Sequence, residues 1–126
     1  MSRYGDAAIK AVDLYKSTVV KSPKSAWERA TRELFPSETS RNKGCTKDAF
    51  LGLCQEGLIT GIPEGNYTLS YKNKRYAKRA VEILRESPEL AKDLRSLWQC
   101  VMAGERKVHN SQMDVVVALW EAHLIK

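Results

Sequence analysis

The sequence predicts an all-α fold: a single helical domain of about six helices over residues 1–126, with room for one short β-hairpin near residues 60–70. Two observations predict it. Apolar residues recur at helical spacing in six stretches, and each stretch opens on a residue able to cap a helix. A chain of 126 residues, 43 % apolar and 29 % charged, suits one buried core and excludes a large multi-domain enzyme.

The first helix takes Asp6 as its cap and lines up Ala8, Ala11, Val12 and Tyr15 before ending near Ser17. Ser22-Pro23 opens the second, a cap followed by proline at the first helical position, with Trp27, Ala30, Thr31 and Leu34 inward and Pro36 closing it. Ser37 to Gly44 carries no apolar residue and reads as an exposed loop. Thr46 caps the third helix, which buries Ala49, Phe50, Leu53 and Cys54 until Gly57 stops it; Leu58 and Ile59 then turn inward. Gly61, Pro63, Gly65 and Asn66 are turn residues, and Tyr67-Thr68-Leu69 alternates as a strand does, so the hairpin belongs here. The fourth helix, Tyr71 to Glu86, aligns Tyr76, Ala77, Ala80, Val81 and Leu84. Ser87-Pro88 repeats the Ser22-Pro23 device and opens a fifth helix with Leu90, Leu94, Leu97, Trp98 and Val101, ended by Gly104. Asn110 or Ser111 starts the sixth, where Ser111 and Asp114 stand at capping-box spacing and Met113, Val116, Val117, Trp120 and Leu124 form the inner stripe. All three tryptophans, Trp27, Trp98 and Trp120, fall on inward stripes and are expected in the core.

One stretch resembles another within the chain. Asp48 to Ile59 aligns without gaps to Asp114 to Ile125, with the Asp, two Leu and the Ile coinciding. A duplicated half would produce this, and so would the general likeness of amphipathic helices.

Charge supplies the main functional signal. Lys+Arg 21 against Asp+Glu 15 gives +6, which favours anionic partners. Lys72, Lys74, Arg75, Lys78 and Arg79 place five cations in eight residues at the start of the fourth helix. Arg75, Lys78 and Arg79 share the face opposite Tyr76, Ala77, Ala80 and Val81, where phosphates can reach them. Glu82, three and four residues from Arg79 and Lys78, offsets part of that charge. Tyr67, Tyr71 and Tyr76 lie beside the cations, an arrangement that single-strand binding would use. The expected role is a small, basic, non-enzymatic binding module that contacts nucleic acid through this helix. The alternative is a protein–protein module of the immunity, antitoxin or inhibitor type, whose cations meet an acidic partner protein.

An enzymatic role would rest on His109 as general base with Asp114 as its orienter, in the polar string His109 to Asp114. The simpler reading makes that string a helix cap. His109 and His123 stand at no metal-binding spacing, and nothing in the sequence asks for a cofactor or metal. Cys45, Cys54 and Cys100 form no CxxC pair, and an odd number suits reduced thiols in a cytoplasm. The opening residues Met1 to Asp6 carry no secretory signal, and the longest apolar run, Val115 to Trp120, is far too short to span a bilayer, so a cytoplasmic location is expected. Oligomeric state is left open.

Two family resemblances add to this. Leu53, Gly57, Leu58 and Ile59, followed by Gly61, Gly65, Tyr67 and Leu69, with Ser25 to Leu34 as the preceding helix, resemble the second half of a winged helix-turn-helix domain over residues 46–69. That likeness implies a recognition helix, although its outward positions here are Lys47, Asp48, Gly52, Gln55 and Glu56. The strings Lys43-Gly44-Cys45, Ala49 to Cys54, and His109 to Asp114 resemble a family of short uncharacterised bacterial proteins, a domain of unknown function. This second likeness spans most of the chain and implies an all-helical domain, with no activity attached.

Overall fold

A computed structural model describes residues 3–41 and 43–126, so Met1, Ser2 and Asn42 lie outside it. The fold is all-α. In chain order come α1 (Arg3–Lys16), α2 (Pro23–Leu34), α3 (Glu38–Arg41), α4 (Gly44–Gln55), α5 (Tyr71–Glu86), a 3-10 helix (Pro88–Lys92), α6 (Leu94–Met102) and α7 (Gln112–Glu121). No described helix is long and apolar enough to cross a membrane.

Helix α2 forms where its cap and proline place it, with the Ser22 hydroxyl accepting the Ser25 N–H at 3.1 Å. The bounds of α5 also agree with the apolar spacing, Ser70 capping Asn73 and Tyr76, Ala77, Ala80, Val81 and Leu84 buried. Elsewhere the ends move. Helix α1 begins at Arg3, which puts Asp6 in its first turn, where a carboxylate meets the positive end of the helix dipole. Helix α4 begins at Gly44; Thr46 therefore lies inside it, buried, and returns its hydroxyl to the Lys43 carbonyl. The loop expected over Ser37 to Gly44 contains α3, closed by Arg41, whose guanidinium donates to the Phe35 and Pro36 carbonyls. The fifth expected helix is broken at Asp93, which accepts from the Ser96 N–H and hydroxyl and so caps α6 separately.

No hairpin forms near residues 60–70. That segment has no strand, and part of its backbone is satisfied by a side chain: Gln55 Oε1 accepts the N–H groups of Tyr67 and Thr68 at 2.8 and 3.0 Å. Thr68 donates to Asp48 at 2.9 Å. The only pairing of β type among the described residues joins Ile59 and Ile125.

That bridge exposes a local two-fold relation between the two stretches that align in sequence. Helices α4 and α7 end alike, Glu56 and Ala122 at φ −81 and −82, then Gly57 and His123 left-handed at φ 69 and 59. Leu58 N–H returns to Leu53 O as Leu124 N–H returns to Leu119 O. The two ends then exchange bonds, Thr60 N–H to Leu124 O and Lys126 N–H to Leu58 O, both 2.8 Å. Helix pairings follow the same relation: α4 packs on α5 as α7 packs on α1, and α1 meets α2 as α5 meets α6.

Small residues let these helices approach closely. A Cβ on Gly5 would sit 2.7 Å from Ala118 Cβ, and one on Gly52 would sit 2.7 Å from Lys74 Cα. The core is aromatic at two points, Trp27 stacked on Phe50 at 5.2 Å and Tyr76 edge-on to Trp98 at 5.4 Å. Trp120 is only half-buried, contrary to its place on the expected stripe.

Candidate functional site

The cationic run begins at the first turn of α5 and is held outward because the opposite face of the helix is core. Arg75 and Lys78 are exposed, with side chains 55 % and 52 % accessible, and Lys72 is also exposed. Arg79 is half-buried. Lys74 lies apart from the rest, packed beneath Gly52 on the α4 side, its side chain 20 % accessible.

Acids from two other elements reach this face. Glu56, at the end of α4, takes Lys78 at 3.0 Å and Lys74 at 3.6 Å. Glu105, in the loop after α6, takes Arg75 at 3.4 Å. Lys72 and Arg79 make no ion pair with a described residue. Lys78, which donates to Glu56, holds that carboxyl below the usual carboxylate range with help from Lys74, and Lys78 is raised in turn by Glu56. Five cations against Glu56, Glu105 and Glu82, the last acting on Lys78 from within α5, leave the face positive, and such exposed pairs are weak enough for a stronger anion to displace. Neither Glu56 nor Glu105 was foreseeable as a partner, since each joins α5 from a distant stretch of chain.

The face continues into a groove that local spacing could not reveal. Tyr71 is 75 % exposed at the head of α5, with Lys74 Nζ 5.1 Å from its ring centre, and Leu69 is 93 % exposed. Beside them opens a groove of about 660 Å³ lined by Lys24, Lys47, Asp48, Leu51 and Gln55 along with residues 66–71. Lys47 is paired with Glu28 at 3.5 Å, whereas Lys24 has no described acid partner. Of the tyrosines expected near the cations, Tyr71 is presented to solvent, Tyr67 is half-buried with its hydroxyl on the Pro63 carbonyl, and Tyr76 is in the core.

The winged helix-turn-helix likeness does not carry over. The segment expected to form the wing has no strand, and Gly52, on the face that would enter a DNA groove, is buried against α5. The polar string at the start of α7 is a cap built differently from the expected one. Ser111 is left-handed and its hydroxyl makes no cap bond. His109 Nε2 instead accepts the Met113 N–H at 3.0 Å, and Gln112 Oε1 accepts the Asn110 N–H at 2.7 Å. An imidazole nitrogen already accepting a backbone proton is not free to take one from a substrate. Cys45, half-buried, lies 3.9 Å from Asn110 Nδ2; Cys54 is buried, which pushes its thiol far above the ordinary range; Cys100 is exposed, and all three are free. Among the described residues, no three of His, Cys, Asp and Glu gather closely enough to hold a metal ion.

The model of one protein family, described as a family of unknown function (DUF6979), matches residues 1–126. No curated protein and no solved structure matches the chain.

Proposed function

Because the chain belongs to this family of unknown function, its own surface must supply its role, and we propose that it is a non-enzymatic binding module contacting nucleic acid through the outer face of α5. The observation that carries this is an exposed aromatic ring, Tyr71, at the head of a helix face that also bears Arg75, Lys78 and Arg79. Lys72 and Arg79 are unmatched by acid, and Lys24 extends the positive surface past Tyr71 into the adjoining groove. A phosphate backbone lying on this face would displace Glu56 and Glu105 from Lys78 and Arg75, releasing bound counterions as it did so. Tyr71 offers a π-face to an unpaired base.

A second role has one observation in its favour. Arg75 and Lys78 already hold carboxylates, Glu105 and Glu56, so an acidic partner protein could take the same places. Salt separates the two. Binding of labelled single-stranded and duplex oligonucleotides, measured by fluorescence anisotropy at two salt concentrations, should give a log–log slope of about −0.7 to −0.9 per phosphate engaged. Replacing Arg75, Lys78 and Arg79 by Gln together should flatten that slope by two to three contacts and leave the melting temperature nearly unchanged. Absence of binding at low salt, or an unaltered slope in the triple variant, would overturn the proposal.

A further inference from the structure

The two-fold relation between α4 and α7 pairs two grooves as well as two helix ends. The groove beside α4 is floored by Leu51 and edged by Asp48 and Gln55. A shift of 66 positions, the one that superposes the helix ends, turns these into Val117, Asp114 and Glu121. Those three line a second groove, of about 400 Å³, between α7, α1 and the segment joining the 3-10 helix to α6. Ile9 and Leu94 complete its apolar wall, and Asp6 adds a further carboxylate.

The molecule itself shows what such a groove holds. Beside α4, residues 67 and 68 lie with both of their N–H groups on Gln55 Oε1 and the Thr68 hydroxyl on Asp48. Beside α7, the carboxylates at the matching places, Glu121 and Asp114, make no hydrogen bond or ion pair with any described residue, and neither does Asp6. Val117 keeps 6 % exposure where Leu51 keeps 2 %, and Glu121 is exposed where Gln55 is half-buried. The acceptors that fasten a chain segment in one groove are thus matched in the other by carboxylates with no described hydrogen bond or ion pair upon them.

We propose that the α7 groove is a docking site for a basic segment of a partner protein, its backbone held as that of residues 67 and 68 is held beside α4. Two backbone N–H groups of the guest would lie on Glu121 and a hydroxyl on Asp114. Its apolar side chains would meet Val117, Ile9 and Leu94. The choice of a basic guest follows from charge. The α4 groove has Lys24, Lys47 and a neutral Gln55, whereas the α7 groove has three carboxylates and no cation in its lining. Hydrogen bonds to an ionised acceptor are also stronger than those to the neutral amide oxygen. Within a Debye length of about 8 Å, these local charges outweigh the net charge of the chain.

Amide NMR of the whole chain tests this with two end-blocked peptides, one of three Lys-Thr-Leu-Thr repeats and one with Glu in place of Lys. The Lys peptide should shift the amides of α1 and α7 around Asp6, Ile9, Val117 and Glu121, and the Glu peptide should not. Asp6→Asn with Glu121→Gln, both exchanges of near-identical shape, should weaken the Lys peptide about tenfold, equivalent to one pair of charged hydrogen bonds. Arg75→Gln with Arg79→Gln should not weaken it, which separates this groove from the α5 face. Shifts clustered elsewhere, equal response to the two peptides, or no response up to about 1 mM peptide would overturn the proposal.

Discussion

His109 shows how one side chain ties local chemistry to stability. Its Nε2 can accept the Met113 N–H only while the ring is neutral, and the ring lies 5.1 Å from that of Trp98. Burial pushes the His109 pKa below its ordinary 6.5, Lys43 pushes it the same way, and Asp114 opposes them. The unfolded chain therefore takes up the proton first as pH falls. Stability from this cap is complete above the ordinary value and is lost as pH drops through the lowered one. Urea unfolding followed by tryptophan emission should give a lower midpoint at about pH 5 than at about pH 7. His109→Ala should cost about 1 kcal/mol at neutral pH and shrink that difference, as expected for a lost cap; an unchanged difference would count against the role. Tyr76 presents the opposite case. Its hydroxyl is buried with no described hydrogen-bond partner, so Tyr76→Phe should leave stability unchanged or raise it by up to about 1 kcal/mol in thermal unfolding. The burial of Tyr76 was legible from its spacing. The cap at His109 was not, because the path of the loop, rather than the sequence next to the helix, brings its ring over the Met113 N–H.

Among the elements, α4 departs furthest from what its pattern predicts. A single inward stripe of Ala49, Phe50, Leu53 and Cys54 places Gly52 outside, yet Leu51 and Gly52 are buried as well. The helix is sandwiched, with α2 on one side and α5 and α7 on others, so periodicity that reports one buried face misses the second. Gly52→Ala would drive a methyl group into the Lys74 backbone, which cannot swing aside as a flexible side chain could. The expected loss is about 1–3 kcal/mol, read from denaturant midpoints. The matched ends of α4 and α7 supply a converse prediction. Gly57 occupies its left-handed position without strain, whereas His123 holds φ 59 with a full side chain. His123→Gly should therefore stabilise the chain by about 1 kcal/mol; a loss of stability would mean that the imidazole makes a contribution of its own.

At the level of the whole molecule, the bridge between Ile59 and Ile125 fastens the two related stretches together. Ile59 is fully buried. Ile59→Ala should cost about 2–5 kcal/mol and lower the cooperativity of unfolding, seen as a broader thermal transition. The likeness of Asp48 to Ile59 and Asp114 to Ile125 was visible in the sequence, but amphipathic helices in general resemble one another, and only the paired hydrogen bonds set the two stretches in a shared geometry. The same division runs through the rest of the protein. Helical class, the burial of Trp27 and the outward position of Arg75 and Lys78 on α5 follow from the sequence alone, because spacing along a helix decides which side chains share a face. Three features came only with tertiary packing: the acids Glu56 and Glu105 against those cations, the segment of residues 67 and 68 laid on Gln55, and the acidic groove at α7. Each joins residues far apart in the chain, and no local period records where distant segments meet.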